Sequence, residues 1–554
     1  MKRLVVISSV IMLTVASCSK GSSSPPVPPA PDLFIVVSNS INGQPFQSPS
    51  YNINSTPVIK VSFSSKIDKG LVSGNVLLTA GTGTVAAYSV SYENSDSTMV
   101  IQPSPALNAI SKYSLNVVTG LQSQQKAKLQ SAVSFDFITA LDSTDKFPRV
   151  SDSALLSLVQ KQTFKYFWDF GHPVSGLARE RNSSGDVVTI GGSGFGIMSI
   201  VTAVNRNFIT RSQGLTKMQT IVSFLKNTAQ KFHGAFPHWM NGISGVVVPF
   251  SQKDDGADLV ETSYLMQGLL CARQYFNTAD PAETTLRTDI NTLWDGVEWS
   301  WFRQNNQDVL YWHWSPTYNW DMNFPIHGWD EALITYVMAA SSNTYSIPKS
   351  VYDNGWAGTP GFINNNTYFG FQLPLGPALG GPLFFAHYSF LGINPNSLTD
   401  AYADYAKQTK NHALINYNYC VSNPKGYYGY SNASWGLTAS DIPNGYNANS
   451  PTNDIGVITP TAALSSFPYT PTESMRALKF FYYTMGDKLW GDYGFYDAYD
   501  LKDTWFANST LAIDQGPVIV MIENYRSGLL WNLFMSCPEV KTGMHNLGFV
   551  SPYL

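Results

Sequence analysis

The sequence predicts a mainly α protein, a ring of helical hairpins preceded by a small all-β sandwich. Three observations predict it. About ten segments between residues 154 and 534 carry the apolar period of helices, and no strand run of similar weight interrupts them. Two of these segments, 257–276 and 516–534, are apolar all round, as helices at a fold's centre are; 215–232 and 398–414 carry Lys and Gln faces, as outer helices do. Upstream, residues 32–141 break into short β-rich runs separated by turn residues. The alternation of inner and outer helices favours a closed ring, and a stacked solenoid is the alternative with the same pattern.

In chain order, Lys2 and Arg3 precede an apolar run, 4–15, too short for an ordinary membrane span. Val15-Ala16-Ser17-Cys18 then resembles a bacterial lipobox. Residues 1–18 are therefore expected to be a lipoprotein signal peptide, with a lipid on Cys18 anchoring the chain in the cell envelope, at the periplasmic or the outer-membrane surface. Residues 19–31, rich in Pro and Ser, form an extended tether. The β-rich runs are 33–37, 58–63, 76–79, 87–92, 99–102, 113–118 and 133–138, with Asn94-Ser95-Asp96-Ser97 as one turn. They hold no catalytic constellation, and a spacer role is expected. Residues 142–150 read as a linker to a helical domain, 151–554.

The helical segments are 154–170, 195–204, 215–232, 257–276, 284–302, 329–340, 398–414, 461–467, 472–483 and 516–534. Thr470-Pro471-Thr472-Glu473 has the capping-box pattern. Gly- and aromatic-rich loops between the helices are longer than a compact bundle needs, which points to function. Gly191-Gly192-Ser193-Gly194-Phe195-Gly196 lacks nucleotide-binding spacing and a preceding βαβ pattern, and close backbone approach at the pocket floor is the expected reason for it.

Composition narrows the function. The net charge of -4 gives no basic footprint for nucleic acid. Only 13 % of residues are charged, while 14 % are aromatic. Such a surface suits neutral polar ligands such as sugars, whose apolar faces stack on rings. There is no HExxH, EF-hand loop, paired CxxC or GxSxG, so neither a metal nor a cofactor is expected. Cys271, Cys420 and Cys537 are too few and too widely spaced for a disulfide framework.

The densest chemistry lies at 254–266. Taken as a helix, this stretch puts Asp254, Asp258 and Glu261 on one face, at spacings of four and three, while Leu259, Val260, Tyr264 and Met266 make the other directions apolar. Capping explains one acid at a helix start, hardly three. The pattern recurs where Asp330-Glu331 precedes 332–337 and where Asp514 precedes 518–522. In a ring of hairpins such starts converge on one end. Glycosidic hydrolysis needs two carboxyl groups, one giving a proton to the departing oxygen, the other activating water or attacking the sugar. Aromatic and His-bearing loops accompany them: His238-Trp239, Trp314 through Trp320, His327, Trp329, His387-Tyr388 and Trp435, which are the expected substrate contacts.

Five separated motifs, Gly176 to Arg181, Asp258 to Thr262, His327 to Glu331, Ile458 to Ala463 and Ala512 to Pro517, resemble a glucoamylase-type domain of bacterial secreted proteins and, more narrowly, glycoside hydrolase family 144. Residues 91–139 resemble bacterial immunoglobulin-like domains. The resemblance implies an (α/α)6 barrel that cleaves β-1,2-glucan or its oligosaccharides with anomeric inversion and without a metal. Family members are endo enzymes or exo enzymes releasing sophorose. Its important acids match Asp254, Asp258, Glu261, Glu331 and Asp514, with Asp441 and Asp454 as rivals of Asp514. On this basis Glu331 is the general acid and Asp258 or Asp514 the base, while Asp254 and Glu261 tune charge or hold sugar hydroxyls. A monomer is expected. The alternatives are a non-catalytic glycan-binding lipoprotein and a hydrolase of another glucan linkage.

Overall fold

The structure, a computed structural model, describes residues 33–554. The expected signal peptide with Cys18 and the tether lie outside the described residues. Within them the chain forms two compact units: residues 33–50, 56–107 and 113–137, and residues 51–55, 108–112 and 138–554.

The first unit is all β. The strands over residues 33–139 are β1 (Val36–Ile41), β2 (Gln44–Pro45), β3 (Ser50–Ile53), β4 (Ile59–Phe63), β5 (Val76–Ala80), β6 (Tyr88–Glu93), β7 (Thr98–Pro103), β8 (Lys112–Val117) and β9 (Val133–Thr139). They make two sheets, of order β2-β1-β4-β7-β6 and β3-β9-β8-β5. Period-two alternation sets the inward face: Ile59, Val61 and Phe63 of β4 are buried while Lys60 and Ser62 between them are not. β2 and β3 escape the sequence reading because each is short and poor in apolar residues.

The second unit is helical: α1 (Asp152–Trp168), α2 (Ile190–Asn205), α3 (Arg211–Asn227), α4 (Leu259–Tyr275), α5 (Pro281–Asp295), α6 (Leu333–Ser341), α7 (Tyr405–Ser422), α8 (Pro460–Leu464), α9 (Pro471–Lys479), α10 (Gly486–Leu489), α11 (Ala512–Ser527), α12 (Leu529–Met535) and α13 (Pro538–Leu547). Segment 516–534 divides into α11 and α12 at Gly528, whose φ of 69° ends a helix without a Cβ clash. α13 was not foreseen. The capping box does not form at Thr470, whose hydroxyl donates to the Ser466 carbonyl instead. One forms at Thr210 and Gln213, opening α3. The linker is fastened, since the Lys146 and Val150 N–H groups donate to the Tyr483 carbonyl and hydroxyl at 2.6 and 3.0 Å.

α11, α2, α4 and α6 lie side by side in that order, with α1 against α11 and α2, α3 against α5, and α13 against α6. α2 and α4 are buried on nearly every side, as all-round apolarity requires. The glycine run, ahead of most of the segment read as helical at 195–204, forms the first turns of α2. Close approach is its reason: a Cβ on Gly194 would lie 2.2 Å from the Tyr264 carbonyl oxygen, and one on Gly268 2.2 Å from that of Gly194. Glycine at both contacts lets α2 and α4 touch backbone to backbone. Their N-terminal ends consequently open at the same end of the unit as that of α11, and there the acids gather.

Candidate active site

Residues 254–266 are not one helix. α4 begins at Leu259, and Asp258 is its N-cap, one carboxylate oxygen accepting the Glu261 N–H at 2.9 Å. Asp254 lies in the preceding turn, and Ala257–Asp258 is a two-residue strand paired with His313–Trp314. The acids still meet, because that pairing folds the turn back. The second oxygen of Asp258 is 2.9 Å from His238 Nδ1 and 3.9 Å from His313 Nδ1, which is 3.5 Å from Asp254. Glu261 reaches α2 instead, accepting the Gly191 N–H at 2.6 Å. A Cβ on Gly191 would sit 2.7 Å from that same oxygen, so only glycine allows the contact.

Electrostatics follow from this packing. Burial opposes charge on both Asp258 and His238. In Asp258 the hydrogen bond from His238 and the nearby imidazoles outweigh it and lower the pKa. In His238 the charge of Glu261 and the bond to Asp258 outweigh it and raise the pKa to about 9. Glu261 is pushed up to about 7, first by burial. His238, Asp254 and Asp258 bring one ligand atom each within 4.8 Å of one another, and among the described residues they are the group that could hold a metal. The bond between His238 and Asp258 already occupies part of that donor set.

The second group is Asp330 and Glu331, just before α6. The Glu331 carbonyl is pinned by the Ser389 hydroxyl and, at 3.4 Å, the Tyr264 hydroxyl. Among the described residues no side-chain donor reaches its half-buried carboxyl. Burial, then the charge of Asp330, raises its pKa well above the carboxylate range, and burial takes Asp330 itself to about 7.

The third group is Asp441, Asp497 and Asp514. Asp441 is claimed by Arg181 at 3.1 Å and by the Ser509 hydroxyl, and its N–H donates to Asp497 at 2.6 Å. Both oxygens of Asp514 and one of Asp497 are buried without a donor. Two facing carboxyls can bond only by sharing a proton. Burial and Asp497 accordingly raise Asp514 far above its usual value, and burial raises Asp497 to about 7. Beside them opens a cavity of about 540 Å³, lined by Arg181, Asp441, Tyr446, Trp505, Phe506 and Ser509.

These groups share one end of the fold through a chain of contacts. Gly516, two residues after Asp514, presses on Phe195, where a Cβ would come within 2.4 Å. Phe195 meets the rings of Tyr264 and Tyr388 at 5.3 Å each. The Tyr264 hydroxyl meets the Glu331 carbonyl.

Of the expected sugar contacts, His238 and Trp239 flank the site together with Phe250, whose ring is 51 % exposed and 4.2 Å from His238. His327 is exposed, four residues before Glu331. Trp314 and Trp320 turn instead toward Trp301, at 5.5 and 4.8 Å. Trp314 alternates with His313 along its strand, so His313, not Trp314, faces the acids. Trp329, His387 and Trp435 are core residues and not surface platforms. Trp329 packs on Trp356, Phe390 and Tyr405. His387, buried and 3.0 Å from the Ser466 hydroxyl, is pushed down to about 3 by burial. Trp435 is fully buried and donates to the Glu473 carbonyl. The rival Asp454 is saturated by Tyr430, Tyr419 and the Gly456 N–H. Sequence reasoning missed Asp497, which precedes no helix, and the exposed Phe250, which falls in a loop without a pattern.

The raised carboxyls make a prediction about pH. Asp330, Glu261 and Asp497 hold protons up to about 7 in the folded chain, whereas unfolded carboxyls release theirs near 4. Between about pH 4 and 7 the folded state binds more protons, so stability falls as pH rises. His238, raised to about 9, contributes stability that is full below about 6.5 and lost toward 9. Both act in one direction. Below about pH 6.5 the buried, neutral His387 acts the other way, so thermal melts are expected to show Tm falling by several degrees from about pH 6.5 to about pH 9, and a flat or rising Tm over that range would contradict this electrostatic account.

Comparison with known proteins gives two family matches: "Putative glucoamylase" over residues 323–538 and "Bacterial Ig-like domain" over 45–139. The chain is 46 % identical over 420 residues to the exo β-1,2-glucooligosaccharide sophorohydrolase (non-reducing end) of Parabacteroides distasonis, covering 72 % of this chain and 58 % of that one. It therefore spans less than two thirds of that relative's length. A solved "putative glucoamylase" from Bacteroides uniformis is 56 % identical with a TM-score of 0.73, covering 74 % of this chain and 100 % of its own. An endo-β-1,2-glucanase from Chitinophaga pinensis, solved with sophorotriose and glucose, is 51 % identical with a TM-score of 0.71, covering 73 % and 100 %.

Proposed function

Because this chain belongs to the "Putative glucoamylase" family of glycoside hydrolases, we propose that it hydrolyses β-1,2-glucan or β-1,2-glucooligosaccharides, releasing sophorose, with inversion at the anomeric carbon. The observation that carries the reading is a proton-holding Glu331 and the Asp497–Asp514 pair at one end of the fold, where the charges of Glu331 and Asp514 both act on Tyr388. Glu331 protonates the glycosidic oxygen as its bond to C1 breaks. Water attacks C1 from the opposite side, and its proton passes to the Asp497–Asp514 pair, which as a unit already holds one proton and one negative charge. Asp258 fits the base role less well, being sealed from solvent with both oxygens engaged. It holds His238 instead, and Asp254 and Glu261 set the local charge or bind sugar hydroxyls.

The finer architecture we propose is an (α/α)6 barrel, supported by the sequence of inner helices α11, α2, α4 and α6 with helices packed outside them. A lipid on Cys18 would hold this monomer at the cell envelope. Sizing the products of long β-1,2-glucan distinguishes endo from exo cleavage. A reducing-sugar assay across β-1,2-, β-1,3-, β-1,4- and α-1,4-glucans tests the substrate. The expected result is new reducing ends from β-1,2-glucan alone, initially in the α-anomeric form by NMR. Binding without reducing ends would make the protein a glycan-binding module, and activity on another linkage would correct the substrate.

A further inference from the structure

Tyr388 packs beside Glu331 and Asp514, and the proposed acid–base scheme leaves it without a task. Its ring is fixed on three sides: stacked on Phe384 at 5.2 Å, against Phe195 at 5.3 Å and edge-on to Tyr264 at 5.7 Å. The backbone beside it is fixed too. The Ser389 hydroxyl donates to the Glu331 carbonyl, and the Ser389 carbonyl accepts from Gln267 at 3.0 Å. A ring so held cannot swing. Yet among the described residues no protein group bonds to its hydroxyl, and that oxygen is not among the sealed unpartnered atoms either. The packing therefore fixes a free donor between the Glu331 side and, through Phe195 and Gly516, the Asp514 side.

We propose that the Tyr388 hydroxyl contacts the substrate, donating a hydrogen bond to the glucosyl unit that lies between Glu331 and Asp514. The proposal rests on the hydrolase reading and adds a residue to it. No bond is made or broken at Tyr388, which keeps its proton throughout. Burial, then the charge of Asp514, holds that proton far more firmly than in a free phenol, with Glu331 and Glu261 adding to the effect. It is thus a donor at every working pH. A donor fixed beforehand in a water-poor cleft acts most strongly where charge develops on the ring during cleavage.

Tyr388→Phe keeps the packed ring and removes only the donor. It is expected to keep the wild-type Tm while kcat/KM falls about 10- to 100-fold, mainly through kcat. A purely structural tyrosine predicts kcat/KM within twofold of wild type, and that result overturns the proposal. Should the phenylalanine variant melt early, 3-fluorotyrosine at position 388 keeps the phenol. Its fluorine resonance is expected to move when sophorotriose is added to the Glu331→Gln protein, and an unmoved resonance at saturation also overturns the proposal. Wild-type turnover on the glucan panel is measured alongside. Activity on another linkage corrects the substrate, and the Tyr388 ratio and the NMR titration are then read on that glucan and its oligosaccharide.

Discussion

Glu331→Gln is expected to lower turnover of β-1,2-glucan by about 10²–10⁴-fold or more, because positioned proton transfer alone is worth that much. Several observations support Glu331 as the proposed proton donor. Its pKa is raised by burial first and by Asp330 second, so it carries its proton near neutrality. Its carbonyl is pinned, which fixes the carboxyl's origin, while no side chain competes for the carboxyl itself. Glutamine has the same shape and the neutrality of the protonated acid, so the cleft keeps its form. Tm should match wild type at low pH and exceed it slightly at high pH, where the wild-type carboxyl must ionise inside protein. Aryl β-sophorosides with acidic phenols need little protonation as they leave, so the variant should cleave them at rates much nearer wild type. Near-normal turnover of the glucan would remove Glu331 from the acid role. Equal losses on glucan and activated aryl glycoside would point to damaged geometry instead.

How much of this was visible in the chain depends on what each feature needs. Apolar periodicity is a local property, and it found most helices and strands, though α7 runs seven to eight residues later than the segment read for it and α10 and α13 have no counterpart among those segments. All-round apolarity identified 257–276 and 516–534 as interior, as α4 and α11 are. The helix start was misplaced, because Asp254 and Asp258 follow a helical spacing while the chain between them turns back to pair with His313–Trp314. Nothing local announces such a pairing. The aromatic platforms were harder still. A tryptophan carries the same label whether it faces sugar or core, and Trp329 and Trp435 went to the core. Asp497 shows the same limit from the other side. Its chemistry comes from facing Asp514, a tertiary fact with no sequence spacing to reveal it.

Comparing Asp514→Asn with Asp258→Asn separates the two candidate bases. In the folded protein burial and mutual charge raise both Asp514 and Asp497, so that the pair shares one proton. An asparagine amide can donate the same bond, so Asp514→Asn should fold with a Tm close to wild type. What it loses is the Asp514 oxygen as an acceptor for the proton of water, with Asp497 left as the pair's remaining carboxyl, and glucan turnover is expected to fall about 10²–10⁴-fold. Azide, which attacks without giving up a proton, should restore part of the rate and yield an α-glycosyl azide, the product of attack opposite the departing β-linked sugar. Asp258→Asn behaves differently. It leaves the His238 imidazolium without its carboxylate, and breaking a buried pair in this way costs about 3–5 kcal/mol. Its activity should fall together with Tm, and azide should not help, because the loss is one of structure. If instead azide rescues Asp258→Asn and leaves Asp514→Asn inactive, the base lies at the start of α4 and the shared proton of the Asp497–Asp514 pair serves to hold the cleft together.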